Sequence, residues 1–390
     1  MRIEPTLSIF ARMTALAQEE NALNLAQGLM WLPLDPLLLE YTATLASDSA
    51  QQQYTSPAGL LSLRETVARL SLHFFQTSYD PEREITITAG ATEGLFCAIQ
   101  ALSTVGDEVF IIEPAYDSYR PACQIGGLTP RVLRLDIEPE GIKFPWIALQ
   151  EQLNPRTRLL LLNFPHNPTG YVLHEQDVRM LEEIVESFPN LYLLVDEAYE
   201  LLCWEGERRS VRMSELLRSR SVIIGSLGKM MGTTGWRLGY ILAPPHLTER
   251  IRTVHQFITF CAPSPFQAVA AHYLAEPQRA LYFHSMLLER RQLCIDLLQR
   301  HTGLEVIPPE GGYFVLVRPP HSQLSDTALA EKLTKEIKVA MIPLSPFYSE
   351  SYESKWLRLC FARPTEMIRE AVARLSQVYP ADQSIVHPSE

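Results

Sequence analysis

A chain of 390 residues exceeds the usual size of a single core, so one larger and one smaller unit are expected. Its 46% hydrophobic and 20% charged residues exclude extensive disorder, and a net charge of −11 with a pI near 5.5 argues against nucleic acid or an anionic membrane surface as partner. Six scattered cysteines form no Cys-x-x-Cys pair, no apolar run reaches the roughly 18 residues of a bilayer span, and residues 1–5 lack a signal-peptide pattern, so reduced thiols in the cytoplasm are expected.

Apolar and small positions at helical spacing over residues 7–18, among them Ile9, Met13, Ala15 and Leu16, predict a short amphipathic helix. Asn24-Leu25-Ala26-Gln27-Gly28-Leu29-Met30-Trp31-Leu32-Pro33 reads as a short strand and a turn. The segment from Gln53 to Gly59, which holds Tyr54, is a loop, and a helix follows over 60–75. Strand-like runs then recur at 85–88, 108–112, 131–135, 159–163, 192–196, 222–226 and 238–242. The first six are mostly continuous β-branched or leucine-rich runs without polar alternation, as strands covered on both faces require. An α/β fold with a mostly parallel, seven-stranded, doubly wound sheet is expected, with ligands outside the carboxyl ends of its strands.

Polar and small residues collect at those ends. Ala89-Gly90-Ala91-Thr92-Glu93-Gly94 opens a helix where backbone amides can approach an anion, a pattern shared with an ordinary capped helix. In Glu113-Pro114-Ala115-Tyr116, the tyrosine either packs in the core or stacks on a planar ring. Asn163-Phe164-Pro165-His166-Asn167-Pro168-Thr169-Gly170 is turn chemistry. The run 192–196 ends in Asp196, whose carboxylate is costly there unless paired, and Tyr199 stands three residues on; a structural cap is the plain alternative.

After 222–226 comes Ser226-Leu227-Gly228-Lys229-Met230-Met231-Gly232-Thr233-Thr234-Gly235-Trp236-Arg237. A P-loop is excluded, because Ile223 and Met230 occupy the positions of its first glycine and its Ser/Thr. A solvated lysine would be ordinary, but Lys229 has small residues before it, a Gly/Thr-rich loop after it, and Arg237 placed to meet an anion.

Further on, a helix is expected over 243–257, an interruption from Phe260 to Gln267, and a long helix opened by Pro277 and ending near residue 300. Strands at 304–307, 313–317, 339–342 and 356–361 and helices at 327–336 and 365–378 complete a smaller unit, with fraying over 381–390. Alternation in 356–361 sends Arg358 to one face between Leu357 and Leu359, where it meets either a local carboxylate or a ligand.

In this order the motifs resemble those of the class I/II aminotransferases, fold-type I enzymes dependent on pyridoxal 5'-phosphate, with kynurenine, methionine and aromatic aminotransferases nearest in character. The resemblance implies that Lys229 holds the cofactor aldehyde and later shuttles the proton. It implies that Asp196 pairs with the pyridine nitrogen, that Tyr199 and Asn167 bond the ring oxygen, and that Tyr116 stacks on the ring. Gly90, Ala91, Thr92, Ser226 and Arg237 become further cofactor contacts, Arg237 at the phosphate, while Tyr54 reaches the phosphate of a neighbouring subunit. Gly28, Asn167 and Arg358 become the substrate carboxylate site, and Phe260 lines the neighbour's site.

Where the family often follows the glycine with an aromatic, a proline and an aspartate, this chain has Leu29, Met30 and Trp31. With Tyr116, Phe260 and Tyr313 they suggest an apolar substrate wall. The resemblance thus implies a homodimer with shared active sites, acting on an amino acid and a 2-oxo acid: transamination of an apolar, aromatic or thioether L-amino acid, with β-elimination from cysteine S-conjugates as the alternative. It divides the chain into a segment 1–40 packing with the small domain, a large cofactor-binding domain 41–276, and a linking helix and small domain 277–390. A cofactor-sensing transcription regulator would need a DNA-binding module ahead of this N-terminal segment and a basic face, and neither is expected. No motif supports a serine hydrolase, a zincin or a dinucleotide dehydrogenase, and no metal is expected.

Overall fold

The seven strand-like runs assemble into one sheet in the computed structural model, which describes residues 8–349 and 352–381. Across the sheet the order is Ile85–Thr88, Gly239–Leu242, Ser221–Gly225, Tyr192–Asp196, Thr157–Asn163, Glu108–Glu113 and Thr129–Arg134. Gly239–Leu242 runs antiparallel to both neighbours and every other pairing is parallel. Because side chains alternate across a strand, each central strand feeds two cores. Phe110, Ile112, Leu160, Leu162, Leu193, Val195 and Ile223 join one apolar cluster, and Val109, Ile111, Leu159, Leu161, Leu194, Val222 and Ile224 join another. Burial on both faces is why these runs lack polar alternation.

The orientation of Gly239–Leu242 matters for chemistry. An antiparallel strand begins where its parallel neighbours end, so Arg237, just before Gly239, stands at the same sheet edge as Asp196, Ser226 and Ala89. Gly239 pairs with Thr88, and a Cβ on it would lie 2.5 Å from the Ala91 amide nitrogen, so glycine lets the strand pass close under the start of the Ala91–Leu102 helix.

Both ends of the described chain meet in a third cluster. Ile9, Met13 and Ala17 of the helix Ile9–Glu19 share it with Val315, Val317, Ile342, Leu359, Ile368 and Leu375. The sheet beneath is antiparallel, in the order Glu305–Ile307, Phe314–Arg318, Leu357–Cys360 and Ile342–Pro343. Leu23–Asn24 runs parallel to Val339–Ala340, which draws residues 24–28 across toward the edge of the large sheet.

Some expectations change. The run 339–342 is two strands, since Val339–Ala340 pairs with the N-terminal segment and Ile342–Pro343 with Leu357–Arg358. Pro277 does not open the long helix: Pro277–Leu281 is a 3-10 turn and the helix is His284–His301. Between them the buried Phe283 is drawn against Gly232, where a Cβ would stand only 2.8 Å from its ring. The helix Pro36–Leu45, capped by Asp35 Oδ1 on the Leu37 amide at 2.9 Å, and the hairpin Asp136–Glu138 with Gly141–Lys143 were not anticipated. Of the expected fraying at 381–390, all but residue 381 falls outside the described residues.

Candidate active site

Lys229 lies in a one-turn helix, Leu227–Met230, and not in an open loop. Ser226 caps that turn, its Oγ accepting from the Lys229 amide at 3.4 Å. The Lys229 Nζ donates to the Gly28 carbonyl at 2.7 Å and to the Tyr313 hydroxyl at 2.7 Å, and Tyr313 in turn donates to the Gly28 carbonyl at 2.8 Å. Gly28 suits this crossing because a Cβ there would already be 3.0 Å from the Phe314 ring. Burial lowers the Lys229 pKa to about 8; Cys360 opposes the shift and the Arg358 and Arg237 guanidinium groups add to it.

Asp196, at the end of Tyr192–Asp196, accepts from the Tyr119 hydroxyl at 2.8 Å and from the Ala198 amide at 3.0 Å. Burial raises its pKa while those two donors hold it down. Asn163 joins the neighbouring strand ends: its Nδ2 donates to the Asp196 carbonyl at 2.8 Å and its Oδ1 accepts from the Asn167 amide at 2.7 Å. The Asn167 Oδ1 accepts from Arg358 Nη1 at 2.7 Å, which leaves the side-chain NH2 of Asn167 for a ligand.

Arg358 is 1% exposed and also donates Nη2 to the Ala26 carbonyl at 2.7 Å. Its guanidinium lies 3.9 Å over the Phe314 ring, and its buried Nε has no partner among the described residues. Tyr199 packs edge-on against Tyr313 at 5.2 Å. The turn carrying Asp196 and Tyr199 is fixed from below by buried Arg212, which pairs with Glu197 and, at 2.6 Å, with Glu200.

Gly90, at φ +84°, begins the Ala91–Leu102 helix, a backbone region that favours glycine. A Cβ there would be 2.7 Å from Arg237 Nη2, so the arginine lies directly against the helix start. Arg237 itself holds φ +54°, uncommon for a side-chain-bearing residue and of the kind that gathers at functional sites.

One cavity of about 450 Å³ brings Lys229, Asp196, Tyr199, Asn167 and Arg358 together with Gly28, Ala91, Thr92, Tyr116, Ser226 and Arg237. Gly90 backs it through Arg237. Tyr54 and Phe260 do not line it: Tyr54 is 84% exposed and meets Phe260 edge-on at 5.4 Å. Of the expected apolar wall, Leu29 faces the cavity, but Met30 is in the third core cluster and Trp31 stacks on Arg363 at 4.9 Å. Residues that sequence reasoning passed over also line it: Tyr119, Asn163 and Asp117 at the same strand ends, and Phe10 from the N-terminal helix. Position at a strand end could have flagged the first three, whereas Phe10 arrives only through tertiary packing.

A planar, anionic aldehyde cofactor fits this donor set. Lys229 offers an amine, Asp196 a half-buried carboxylate for a protonated ring nitrogen, Asn167 an amide donor uncommitted among the described residues, and Arg237 a cation beside a helix N-terminus. The unpartnered Arg358 Nε, between Phe314 and the cavity, is a donor left for a carboxylate.

Residues 20–375 match the family described as aminotransferase class I and II. The chain is 36% identical over 374 residues to a methionine aminotransferase of Escherichia coli, covering 95% of this chain and 96% of that one. It is 30% identical to human kynurenine–oxoglutarate transaminase 3, covering 91% and 85%. Among solved structures, an Escherichia coli protein identified as having methionine aminotransferase function superposes with a TM-score of 0.91 at 35% identity, over 96% of this chain and 97% of that one. N-succinyldiaminopimelate aminotransferase from Mycobacterium tuberculosis gives 0.91 at 31%, with the same coverage.

Proposed function

The chain belongs to the class I and II aminotransferases, enzymes of pyridoxal 5'-phosphate, and from that premise we propose that it moves the amino group of an apolar, aromatic or thioether L-amino acid to a 2-oxo acid. When bound, the cofactor supplies an aldehyde that carries the amino group and a ring that draws electrons from the substrate α-carbon.

In this reading the protein's own groups divide the work. Lys229, with its pKa lowered by burial to about 8, supplies more free amine near neutral pH than an ordinary lysine, though still as the minor form. Its Nζ, when free, would take the α-proton and return it on the other side of the transfer. The Gly28 carbonyl and the Tyr313 hydroxyl hold that nitrogen at the cavity wall. Asp196, whose ionised form is favoured by the bonds from Tyr119 and Ala198, would hold the proton on the ring nitrogen. Arg358 and Asn167 would orient the α-carboxylate, and Tyr199 and Asn167 would hold the ring oxygen.

One observation carries the substrate class. The cavity's cations, among the described residues, are Lys229, Arg237 and Arg358, and each already has a task. Phe10, Leu29 and Tyr116 add apolar wall, and Asp117 adds a carboxylate that opposes an acidic side chain. The methionine and kynurenine enzymes among its relatives support the same class. The six free cysteines are in keeping with a reducing compartment, the cytoplasm.

A panel of amino acids assayed with two or three 2-oxo acids tests this. Methionine, phenylalanine, tyrosine, leucine or kynurenine should exceed aspartate in kcat/KM by about tenfold or more, the scale of one or two buried apolar contacts. Aspartate as best donor would reject the substrate class. Turnover of a cysteine S-conjugate with no 2-oxo acid present would instead favour β-elimination.

A further inference from the structure

Three side chains outside the cavity converge beneath its helix N-terminus. Glu93, the third residue of Ala91–Leu102, reaches back past the Gly90 cap, and its Oε2 accepts from the Ala89 amide at 3.0 Å. Its Oε1 meets His255 Nδ1 at 2.7 Å and the Cys97 thiol at 2.8 Å. His255 and Cys97 are both 0% exposed, and His255 comes from the separate helix Pro245–Ile258.

The protonation of the group follows from burial. His255 Nε2 is buried without a partner among the described residues, and an N–H stranded there would cost more than a stranded lone pair. The nitrogen that faces Glu93, Nδ1, is therefore the ring's donor to the carboxylate. Burial pushes the Cys97 thiol up, so it remains a donor. Burial opposes ionisation of Glu93, but the hydrogen bond and electrostatic attraction of His255, with the bonds from Cys97 and Ala89, outweigh it and hold its pKa below the ordinary value.

The three groups could also be seen as ligands of a cation. Ligands at about 2.0–2.3 Å from a zinc-sized ion stand more than roughly 3 Å from one another, whereas here they touch at hydrogen-bond length. The cluster is built to hold a carboxylate still.

What that carboxylate holds is the approach to the cradle. It occupies the Ala89 amide, which lies outside the helix, while the amides of Ala91 and Thr92 donate to no acceptor among the described residues. We propose that Glu93, pinned by His255 and Cys97, is a positioning residue that fixes the 89–92 turn so that its free amides and Arg237 converge on the cofactor phosphate. This rests on the assignment of the Gly90 helix start as the phosphate site, and it adds residues that touch no ligand.

The test compares two ligands on the full chain stripped of cofactor: pyridoxal 5'-phosphate and pyridoxal, which lacks the phosphate. Wild type should prefer the phosphorylated form strongly. Glu93→Ala should reduce that preference by about tenfold or more while pyridoxal affinity changes less than about twofold, on the scale of one charge-assisted contact. Glu93→Gln, which retains an oxygen for Ala89, should recover part of it, and His255→Leu should show a smaller loss of the same kind. Equal loss of both ligands in Glu93→Ala would make Glu93 a general structural cap and overturn the proposal, as would an unchanged preference. Should Glu93→Ala not fold, His255→Leu and Glu93→Gln decide by the same ratio. A wild type that binds both ligands equally would instead reject the phosphate site itself.

Discussion

The hydroxyl of Tyr119 donates to Asp196 Oδ2 at 2.8 Å, so the carboxylate proposed as the partner of the cofactor ring is steered by a tyrosine three residues beyond Tyr116. Burial raises the Asp196 pKa and this bond lowers it, so its loss moves the value further up. Tyr119→Phe should therefore shift the acid limb of kcat/KM to higher pH, because Asp196 must be ionised to act. Turnover should fall about tenfold or more, as one hydrogen bond to a charged group contributes about 1.5–3 kcal/mol. An acid limb that stays in place would mean that Tyr119 only packs.

Lys229 sets a second pH dependence. With its pKa lowered to about 8, the neutral amine is the minor form below that pH and dominant above it. Uptake of pyridoxal 5'-phosphate by the stripped protein should accelerate by about tenfold per pH unit on the acid side and level off above about 8, because only the free amine attacks. Lys229→Ala should abolish turnover and the visible absorbance of the lysine-bound cofactor while the protein still folds. Stopped-flow absorbance measures both, and uptake independent of pH between about 6 and 9 would reject the lowered pKa.

Arg212 supports the site from beneath the sheet edge. It is 2% exposed between Glu197 and Glu200, with Ser210 and Tyr240 completing the group. Arg212→Met leaves buried carboxylates without their cation, a change that costs about 3–5 kcal/mol. Glu197, already raised by burial and restrained by Arg212, then moves further up. A carboxyl with a raised folded pKa is tolerated while protonated, so the deficit should be smallest in acid and grow as pH rises. Denaturant unfolding at several pH values reads this, and a loss below about 1 kcal/mol would show that the group is not energetically coupled.

The seven strands of the large sheet were legible because each is buried on both faces, and a strand with one face in water would have shown polar residues at every second position. Their ends located Asp196, Asn167 and Lys229 for the same reason. What the sequence could not convey was the company these residues keep. Tyr119 reaches Asp196 across a strand, Phe10 reaches the cavity from the N-terminal helix, and Trp31 turns away toward Arg363. Local periodicity carries no information about such long-range contacts. The split at Met341 and the break before His284 likewise follow from partners distant in sequence, Leu23–Asn24 in one case and Gly232 in the other.

Tyr54 and Phe260 define the remaining expectation. They face each other outside the chain's own cavity, Tyr54 at 84% exposure and Phe260 at 45%, with Phe257 at 83% and Ile258 at 46% beside the latter. Phe260 also holds φ +66°, which presents its ring from a sharp bend after the helix Pro245–Ile258. Large apolar side chains exposed together mark an association surface, and in a two-fold dimer each subunit would lend the same residues to the other. If each site takes Lys229 from one subunit and Tyr54 from its partner, a hybrid of a Lys229→Ala chain with a Tyr54→Ala chain contains one site with both residues intact and one with neither. Equal amounts, unfolded and refolded together, place half of the dimers in the hybrid class, so activity should return to about a quarter of wild type although each parent is inactive or nearly so. Activity no greater than the mean of the two parents would show that Tyr54 serves its own subunit's chemistry or none, and a fully active monomer in sedimentation would remove the shared site altogether.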